Sequence, residues 1–107
     1  MELSQYQIVL VNLDPTIGSE IKKTRPCAII SPNEMNKHLR TIVIAPMTSI
    51  SRNYPTRVKV KNNNAEGWLV IDQIRTIDKQ RVIKVLGDLT TSEIKKTKSV
   101  FKETYVD

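Results

Sequence analysis

The hydrophobic residues of this chain are grouped in short runs separated by polar stretches. Residues 6–13, 25–31 and 41–45 are rich in Val, Ile and Leu, and each run is bounded by Pro, Gly, Asn or Ser. Short apolar runs with such boundaries are typical of β-strands rather than helices. We expect prolines to end these strands, namely Pro15, Pro32 and Pro46.

Alternation of polar and apolar residues marks a further strand at residues 56–61. It places Val58 and Val60 on one face and basic residues on the other, because the side chains of a strand alternate between its faces. The Asn-rich residues 62–67 predict the turn of a hairpin, with a return strand at residues 68–74. The basic residues of the alternating strand are Arg57, Lys59 and Lys61.

Helical signals are concentrated near the C-terminus. After a last strand at residues 82–86, the segment Thr90-Thr91-Ser92-Glu93 matches a capping box, in which a threonine hydroxyl and a glutamate carboxylate satisfy opposite backbone donors. Residues at roughly helical spacing follow, so the helix can cover one face or end of the sheet. A shorter helix is predicted at residues 33–39. The spaced residues are Ile94, Thr97, Phe101 and Tyr105.

Five or more short strands and one terminal helix in 107 residues predict a mainly β fold with a C-terminal helix, of the α+β class. A small, strongly curled antiparallel barrel is the expected architecture, because closure removes the exposed strand edges that promote aggregation. The length fits a single domain over residues 1–107.

Composition indicates a globular protein with a polyanionic partner. Hydrophobic residues make up 39% and charged residues 26%, and no apolar segment is long enough to span a membrane. The first residues lack the features of a signal peptide, so we expect a cytoplasmic protein with no membrane partner. The net charge of +6 favours nucleic acid or an acidic protein as the partner. The five aromatic residues are too few to predict a platform of stacked bases.

The single cysteine and the single histidine do not suggest a site. Cys27 lies inside an apolar run, where a small buried residue fits, and His38 is expected at the surface. One histidine and one cysteine, far apart, give no zinc pattern, and the carboxylates are scattered. We therefore expect neither a metal nor a cofactor.

Candidates for chemistry are concentrated in the long irregular segment at residues 14–24 and at the start of the next strand. Arg25, followed by Pro26, would present a permanently charged planar fork that matches phosphate oxygens. A solvated loop is the alternative for the two lysines of this segment. The other polar candidates there are Ser19, Glu20, Lys22 and Lys23.

Two further polar clusters follow predicted strands. Thr48 and Ser49 come after the strand at residues 41–45, and hydroxyls at a strand end can donate to a developing oxyanion. Asp72 and Gln73 interrupt an apolar run, where polar residues are either hydrogen-bonded structural groups or members of a site.

Three motifs carry a resemblance to a known family. They are NLDPTIGSE with RP five residues later, PMTS, and VIDQIRTI, which begin at Asn12, Pro46 and Val70. In this order and at these spacings they resemble the MazF/PemK (Kid) family of toxin endoribonucleases from type II toxin-antitoxin systems. The resemblance implies an SH3-like barrel of the MazF/CcdB toxin type, with a C-terminal helix, that forms a homodimer.

The resemblance implies that the chain is an mRNA interferase that causes growth arrest. It would cut single-stranded RNA at a short sequence without a metal, leave 2′,3′-cyclic phosphate and 5′-hydroxyl ends, and be neutralised by a cognate antitoxin with an acidic tail. Arg25 aligns with the family's catalytic arginine and Thr48 with its catalytic threonine. Supporting candidates are Ser19, Glu20, Ser49, Asp72 and Gln73, and RNA-binding candidates are Lys22, Lys23, Arg57, Lys59, Lys61 and Arg75.

The general base stays open at the level of sequence. An arginine is a poor base because its ordinary pKa lies above about 12, so either the site lowers that pKa or Glu20 or Asp72 takes the proton. Some family members use an aspartate with an arginine two residues before it. Asp72 matches that aspartate, but the residue two positions before it is Val70 rather than an arginine.

Two other functions compete with RNA cleavage. A toxin of the same fold can poison a protein such as DNA gyrase without catalysis, as the CcdB relatives do, because fold does not settle function. A plain nucleic-acid-binding barrel would explain the charge. The polar motifs around Arg25 and Thr48 favour the enzyme, since neither alternative requires them.

Overall fold

The computed structural model describes residues 2–14, 24–50 and 54–107. Within these ranges the chain forms seven strands, two α-helices and two short 3₁₀ helices. The strands are β1 (Gln7–Asn12), β2 (Thr24–Ile29), β3 (Thr41–Thr48), β4 (Arg57–Asn62), β5 (Ala65–Val70), β6 (Arg75–Asp78) and β7 (Val82–Asp88). The helices are α1 (Asn33–His38) and α2 (Thr91–Tyr105), and the 3₁₀ helices are Ile71–Gln73 and Lys79–Arg81.

The strands form one antiparallel sheet in the order β4-β5-β3-β2-β1-β7. β3 joins its two parts: one edge pairs with β2, while the other pairs with β6 along its first half and with β5 at its end. The curl of the sheet brings its two ends into contact at one point, where the Asn64 side-chain amide at the β4–β5 turn donates to the Leu86 carbonyl of β7 at 2.9 Å. The predicted curled antiparallel sheet with a C-terminal helix is confirmed.

Alternation along the strands builds an apolar cluster on each face of the sheet. One cluster contains Ile8, Ala28 and Ala45 and is covered by α2 through Val100. The other contains Val9, Cys27 and Ile44. Each member of the second set is a chain neighbour of one in the first, as expected of strands buried on both faces. Cys27 is fully buried, as predicted.

The capping box predicted at the start of α2 is present. The Thr90 hydroxyl accepts from the Glu93 N–H at 3.2 Å, and Glu93 Oε1 accepts from the Thr90 N–H at 2.8 Å. Glu93 Oε2 also accepts from the Lys61 N–H at 2.8 Å, which ties the helix start to β4. The predicted short helix is α1, and His38 is exposed on it beside Glu34.

The prediction that Pro46 ends its strand is wrong, because Pro46 lies inside β3. The Ile30 N–H donates to the Val43 carbonyl, so alternation puts Pro46 at a non-hydrogen-bonded position opposite Cys27. On the other edge, pairing with β6 ends at Ile44 and pairing with β5 begins at Met47. The missing N–H of Pro46 therefore falls in a gap, and proline is tolerated there.

The predicted turn at 62–67 and return strand at 68–74 are wrong in their boundaries. The turn is shorter, because the Asn62 side-chain oxygen accepts from the Asn64 N–H at 2.9 Å and reverses the chain within two residues. The return strand β5 then ends at Val70, and a 3₁₀ helix leads into β6, a strand that the sequence pattern does not predict. Pro32 comes after β2 and immediately precedes α1, as expected, whereas Pro15 lies outside the described residues.

Within the described ranges, no helix combines the length and the apolar character needed to cross a bilayer.

Candidate active site

Strand register brings Arg25 and Thr48 together across β2 and β3. Cys27 pairs with Pro46, and continuing this register by two residues sets Arg25 opposite Thr48. The alternation that makes Cys27 and Pro46 a non-hydrogen-bonded pair applies to Arg25 and Thr48 as well. Side chains approach most closely in pairs of this kind. The register thus places residues 23 positions apart in the chain at the same level of two adjacent strands.

The thiol of Cys27 reports on the cations around it. Burial raises its pKa to about 12, while the charges of Arg75 and Arg25 act in the opposite direction. Both guanidinium groups therefore lie close enough to influence it. The thiol also donates to the Arg25 carbonyl at 3.6 Å. Cys27 stays a neutral thiol at physiological pH, so it supports the backbone of Arg25 and does not supply a nucleophile.

Arg75 joins Arg25 and Thr48 on the same face of the sheet. It lies opposite Ile44 on β3, and Ile44 shares a face with Thr48 because the two are four residues apart on one strand. All three polar side chains are half-buried. They lie on the same face as the second apolar cluster, so this face carries two cations and a hydroxyl beside buried apolar side chains.

The Thr48 hydroxyl is oriented by the backbone that follows it. It accepts from the Ile50 N–H at 3.3 Å, which uses its oxygen and leaves its own proton for donation. Ser49 is exposed in the bend after β3. Thr48 is therefore equipped to donate to an anionic oxygen.

The line through Arg25 and Thr48 continues across two more strands. Thr48 pairs with Trp68 on β5, and Trp68 pairs with Lys59 on β4. The Lys59 ammonium lies 5.0 Å from the centre of the indole ring and 3.8 Å from Glu66 Oε1. We call these four residues the cross-strand row: Arg25, Thr48, Trp68 and Lys59.

Gly67 fixes β5 against β3 at this row. A Cβ at this position would lie 2.5 Å from the carbonyl oxygen of Thr48, closer than real Cβ contacts allow. The close approach of the two backbones next to Trp68 therefore requires glycine.

Arg57 and Asp72 form an ion pair beside the row. The Arg57 side chain is 14% exposed and that of Asp72 is 42% exposed. Arg57 also donates to the Thr56 hydroxyl at 3.2 Å and lies 5.2 Å from the centre of the Tyr54 ring. These contacts hold Arg57 in one position, and its charge is shared with a carboxylate.

Asp72 and Gln73 are exposed in the 3₁₀ helix rather than in a strand core, so their predicted strand placement is wrong. The helix replaces the strand because pairing with β4 stops at Val70. Tyr105 of α2 ties it down, since its hydroxyl donates to the Ile71 carbonyl at 2.6 Å. Burial, and then the charge of Asp72, raises the pKa of Tyr105.

Several predicted site residues cannot be placed beside this geometry. Lys61 is exposed at the far end of β4 from Arg57. The candidates that lie outside the described residues are Ser19, Glu20, Lys22 and Lys23.

No group of three or more His, Cys, Asp or Glu side chains in the described part of the chain is arranged to hold a metal ion.

We call the outward face around Arg57, Lys59 and Lys61 the basic surface. The sequence pattern does not single out its two aromatic residues, Trp68 and Tyr54. The alternating pattern of residues 56–61 did signal that Lys59 faces outward. The signal for Trp68 is its position opposite Lys59 in the hairpin, which becomes apparent only when the turn is placed at Asn63 and Asn64.

The chain matches the family model of the PemK-like, MazF-like toxins of type II toxin-antitoxin systems over residues 4–105. It belongs to this toxin family. The family predicted from the three motifs is confirmed.

Individual relatives agree with this assignment. The toxin is 31% identical over 93 residues to the Endoribonuclease MazF of Staphylococcus epidermidis, an alignment that covers 81% of this chain and 78% of the relative. The crystal structure of MazF from Deinococcus radiodurans superposes with a TM-score of 0.86 at 21% identity, covering 97% of this chain and 96% of that one. An endoribonuclease in complex with its cognate antitoxin from a mycobacterial species has a TM-score of 0.81 at 22% identity, covering 94% and 92%. The two structures establish the common fold.

Proposed function

We propose that this toxin cuts single-stranded RNA by attack of the ribose 2′-hydroxyl on the adjacent phosphate, without a metal ion. Family membership and the 31% identical Endoribonuclease MazF confirm the enzyme class predicted from the sequence. The finer proposal is supported by the β2–β3 register, which sets Arg25 opposite Thr48 when it is continued two residues beyond Cys27 and Pro46, and by the placement of Arg75 on the same face. Two cations and a hydroxyl donor there suit a phosphate in the act of gaining charge.

The proposed reaction exchanges one phosphorus–oxygen bond for another. A base takes the proton of the 2′-hydroxyl, the 2′-oxygen bonds to phosphorus, and the bond to the 5′-oxygen breaks as that oxygen is protonated. The products are a 2′,3′-cyclic phosphate and a 5′-hydroxyl. Arg25 and Arg75 neutralise the non-bridging oxygens, and the Thr48 hydroxyl donates to one of them. A DNA strand lacks the nucleophile and would bind without reacting.

The base is proposed to be Glu20 or Arg25 rather than Asp72. The Asp72 carboxylate is already engaged by the guanidinium of Arg57. We assign Asp72 to holding Arg57, and Arg57 to binding the RNA strand beside the row.

The proposed partners are a second copy of the chain and an antitoxin. β7 is the end of the sheet order in the described residues, and Ile83 and Val85 on it are 50% and 40% exposed. An edge strand with exposed apolar side chains suits pairing with another chain. The net charge of +6 suits an acidic antitoxin segment that covers the RNA surface in the cytoplasm. Sedimentation equilibrium tests the first partner, and competition of polyglutamate with RNA tests the second.

The decisive experiment incubates the purified chain with a long single-stranded RNA in excess EDTA and maps the ends formed. Wild-type protein should leave cyclic phosphate ends, and 2′-O-methyl RNA should stay intact. Arg25→Ala and Thr48→Val should each slow cleavage by roughly 10²–10³-fold, the usual loss on removing one group that stabilises a transition state. Arg40→Ala removes an exposed cation outside the row and should leave the rate unchanged.

Circular dichroism and thermal unfolding confirm that the variants fold. Intact RNA after incubation with wild-type protein would contradict the enzyme and favour a toxin that poisons a protein target. Wild-type rates in Arg25→Ala would contradict the proposed site while leaving the enzyme class in place.

A further inference from the structure

The basic surface, formed by the β4–β5 hairpin and the residues just before β4, carries two of the chain's five aromatic residues. Tyr54 lies below the guanidinium of Arg57, and Trp68 lies below the ammonium of Lys59. Aromatic rings on a basic surface are the combination that binds single-stranded nucleic acids, because bases stack on the rings while cations follow the phosphates. The composition alone does not reveal this concentration.

Trp68 lies next to the proposed reacting group. It is directly opposite Thr48 on the neighbouring strand, which corresponds to about 4.8 Å between the backbones. Gly67 holds the two strands in this register, since any side chain there would meet the Thr48 carbonyl. The indole is half-buried and so remains partly open on the same face as the Thr48 hydroxyl.

The contacts of Lys59 favour its transfer to a phosphate. Its side chain is 48% exposed, and its ammonium is shared between the indole face and Glu66 at 3.8 Å. An exposed ion pair and a cation–π contact are both weak interactions. A phosphate is a stronger partner for an ammonium, so a bound strand can draw Lys59 off the ring.

On this basis we infer that Trp68 stacks against the base of the nucleotide adjacent to the phosphate held by Arg25 and Thr48, with Lys59 on that nucleotide's own phosphate. The inference rests on the proposed function, because it uses that phosphate as its reference point. Stacking accepts every base, so Trp68 supplies affinity and position rather than the recognised sequence.

The test uses Trp68 as its own probe, because it is the only tryptophan of the chain. A single-stranded 2′-O-methyl oligonucleotide binds without being cleaved, and it should quench the tryptophan emission as it saturates the protein. The same backbone with abasic sites should bind with little quenching. Binding by the normal oligonucleotide without quenching would overturn the inference.

Variants separate stacking from packing. Trp68→Phe keeps a ring and should bind a labelled 2′-O-methyl oligonucleotide nearly as well as wild type, whereas Trp68→Leu keeps apolar bulk and should bind about 5- to 150-fold more weakly. Equal affinity of Trp68→Leu and wild type, with both folded, would overturn the role. Absence of any oligonucleotide binding by wild type would instead remove the proposed function itself, so the two failures are distinguishable.

Discussion

Cys27 belongs to the second apolar cluster, and the cations Arg25 and Arg75 lie near its thiol. It is fully buried, and burial raises its pKa to about 12 from the ordinary value of 9.0. The folded chain therefore holds the thiol proton more tightly than the unfolded chain does. Linkage makes this a contribution to stability that is complete below pH 9.0 and is lost as pH rises toward about 12.

Cys27→Ala should remove this pH dependence. Above pH 9.0 the free energy of unfolding of wild type should fall relative to that of the variant by up to about 1.4 kcal/mol per pH unit, the limit for one titrating group. Urea denaturation of both proteins between pH 8 and 11 measures the difference. Cys27→Ser is the control, since serine does not titrate and should give the slope of the alanine variant. Parallel pH curves for wild type and both variants would contradict the buried thiol.

Residue types could be predicted for the site, but their pairing could not. A permanently charged fork at Arg25 and a hydroxyl at Thr48 follow from chemistry and motif order. The contact between them depends on strand register, which is set by long-range pairing. Asp72 is an example: the sequence shows that it carries a carboxylate, but only the fold shows that this carboxylate pairs with Arg57.

At the scale of elements, α2 is attached to the sheet through its first turn. One carboxylate, that of Glu93, accepts from the Thr90 N–H inside the helix cap and from the Lys61 N–H at the end of β4. The capping box thus does more than start the helix. It fixes the position of the helix over the apolar cluster that contains Val100.

Glu93→Ala should therefore destabilise the fold more than Thr90→Ala does. Loss of the threonine cap is expected to lower the free energy of unfolding by about 1 kcal/mol. Loss of the glutamate leaves two backbone donors without their acceptor and should cost about 2 kcal/mol. Urea denaturation compares them, with Glu103→Ala on the exposed side of the same helix as the control. Equal losses for Glu93→Ala and Thr90→Ala would show that the link to β4 carries no stability.

Elements with strong local patterns could be predicted from the sequence, and those defined by pairing could not. The alternating strand β4, the apolar strand β1 and the capped helix α2 are all signalled within their own residues. β6 has only four residues and exists because β3 offers it a free edge. Pro46 was wrongly predicted to end its strand because proline is tolerated there only through a gap between β6 and β5 along one edge of β3, and this gap depends on strand pairing.

At the scale of the whole molecule, the excess of positive charge is directed to one surface in part by the hairpin. Lys59 and Lys61 point outward from β4, and Arg57 is partly neutralised by Asp72. The net charge of +6 is therefore larger than the positive charge that any one patch of the surface presents to RNA. Each lysine that meets a phosphate releases counterions and adds to the salt dependence of binding.

Lys61→Ala should weaken binding of a 2′-O-methyl oligonucleotide and reduce the salt dependence of its affinity. The slope of log K against log salt should become less steep by about 0.7, the value for one phosphate contact on a single strand. Fluorescence anisotropy across a salt series measures the slope. Lys95→Ala on α2 removes the same charge from an exposed helical position and is the matched control. Identical slopes for wild type and Lys61→Ala would assign Lys61 to solvent.

Gly67 also has an evolutionary consequence. A side chain at this position would separate β5 from β3, so one mutation would misplace both Trp68 and Thr48. Asn63 at the tip of the turn is exposed and lies away from this close approach of the two backbones. Descendants of this toxin can therefore diversify at the hairpin tip while inheriting the glycine behind it. A saturation library selected for growth arrest should recover many residues at position 63 and glycine at position 67.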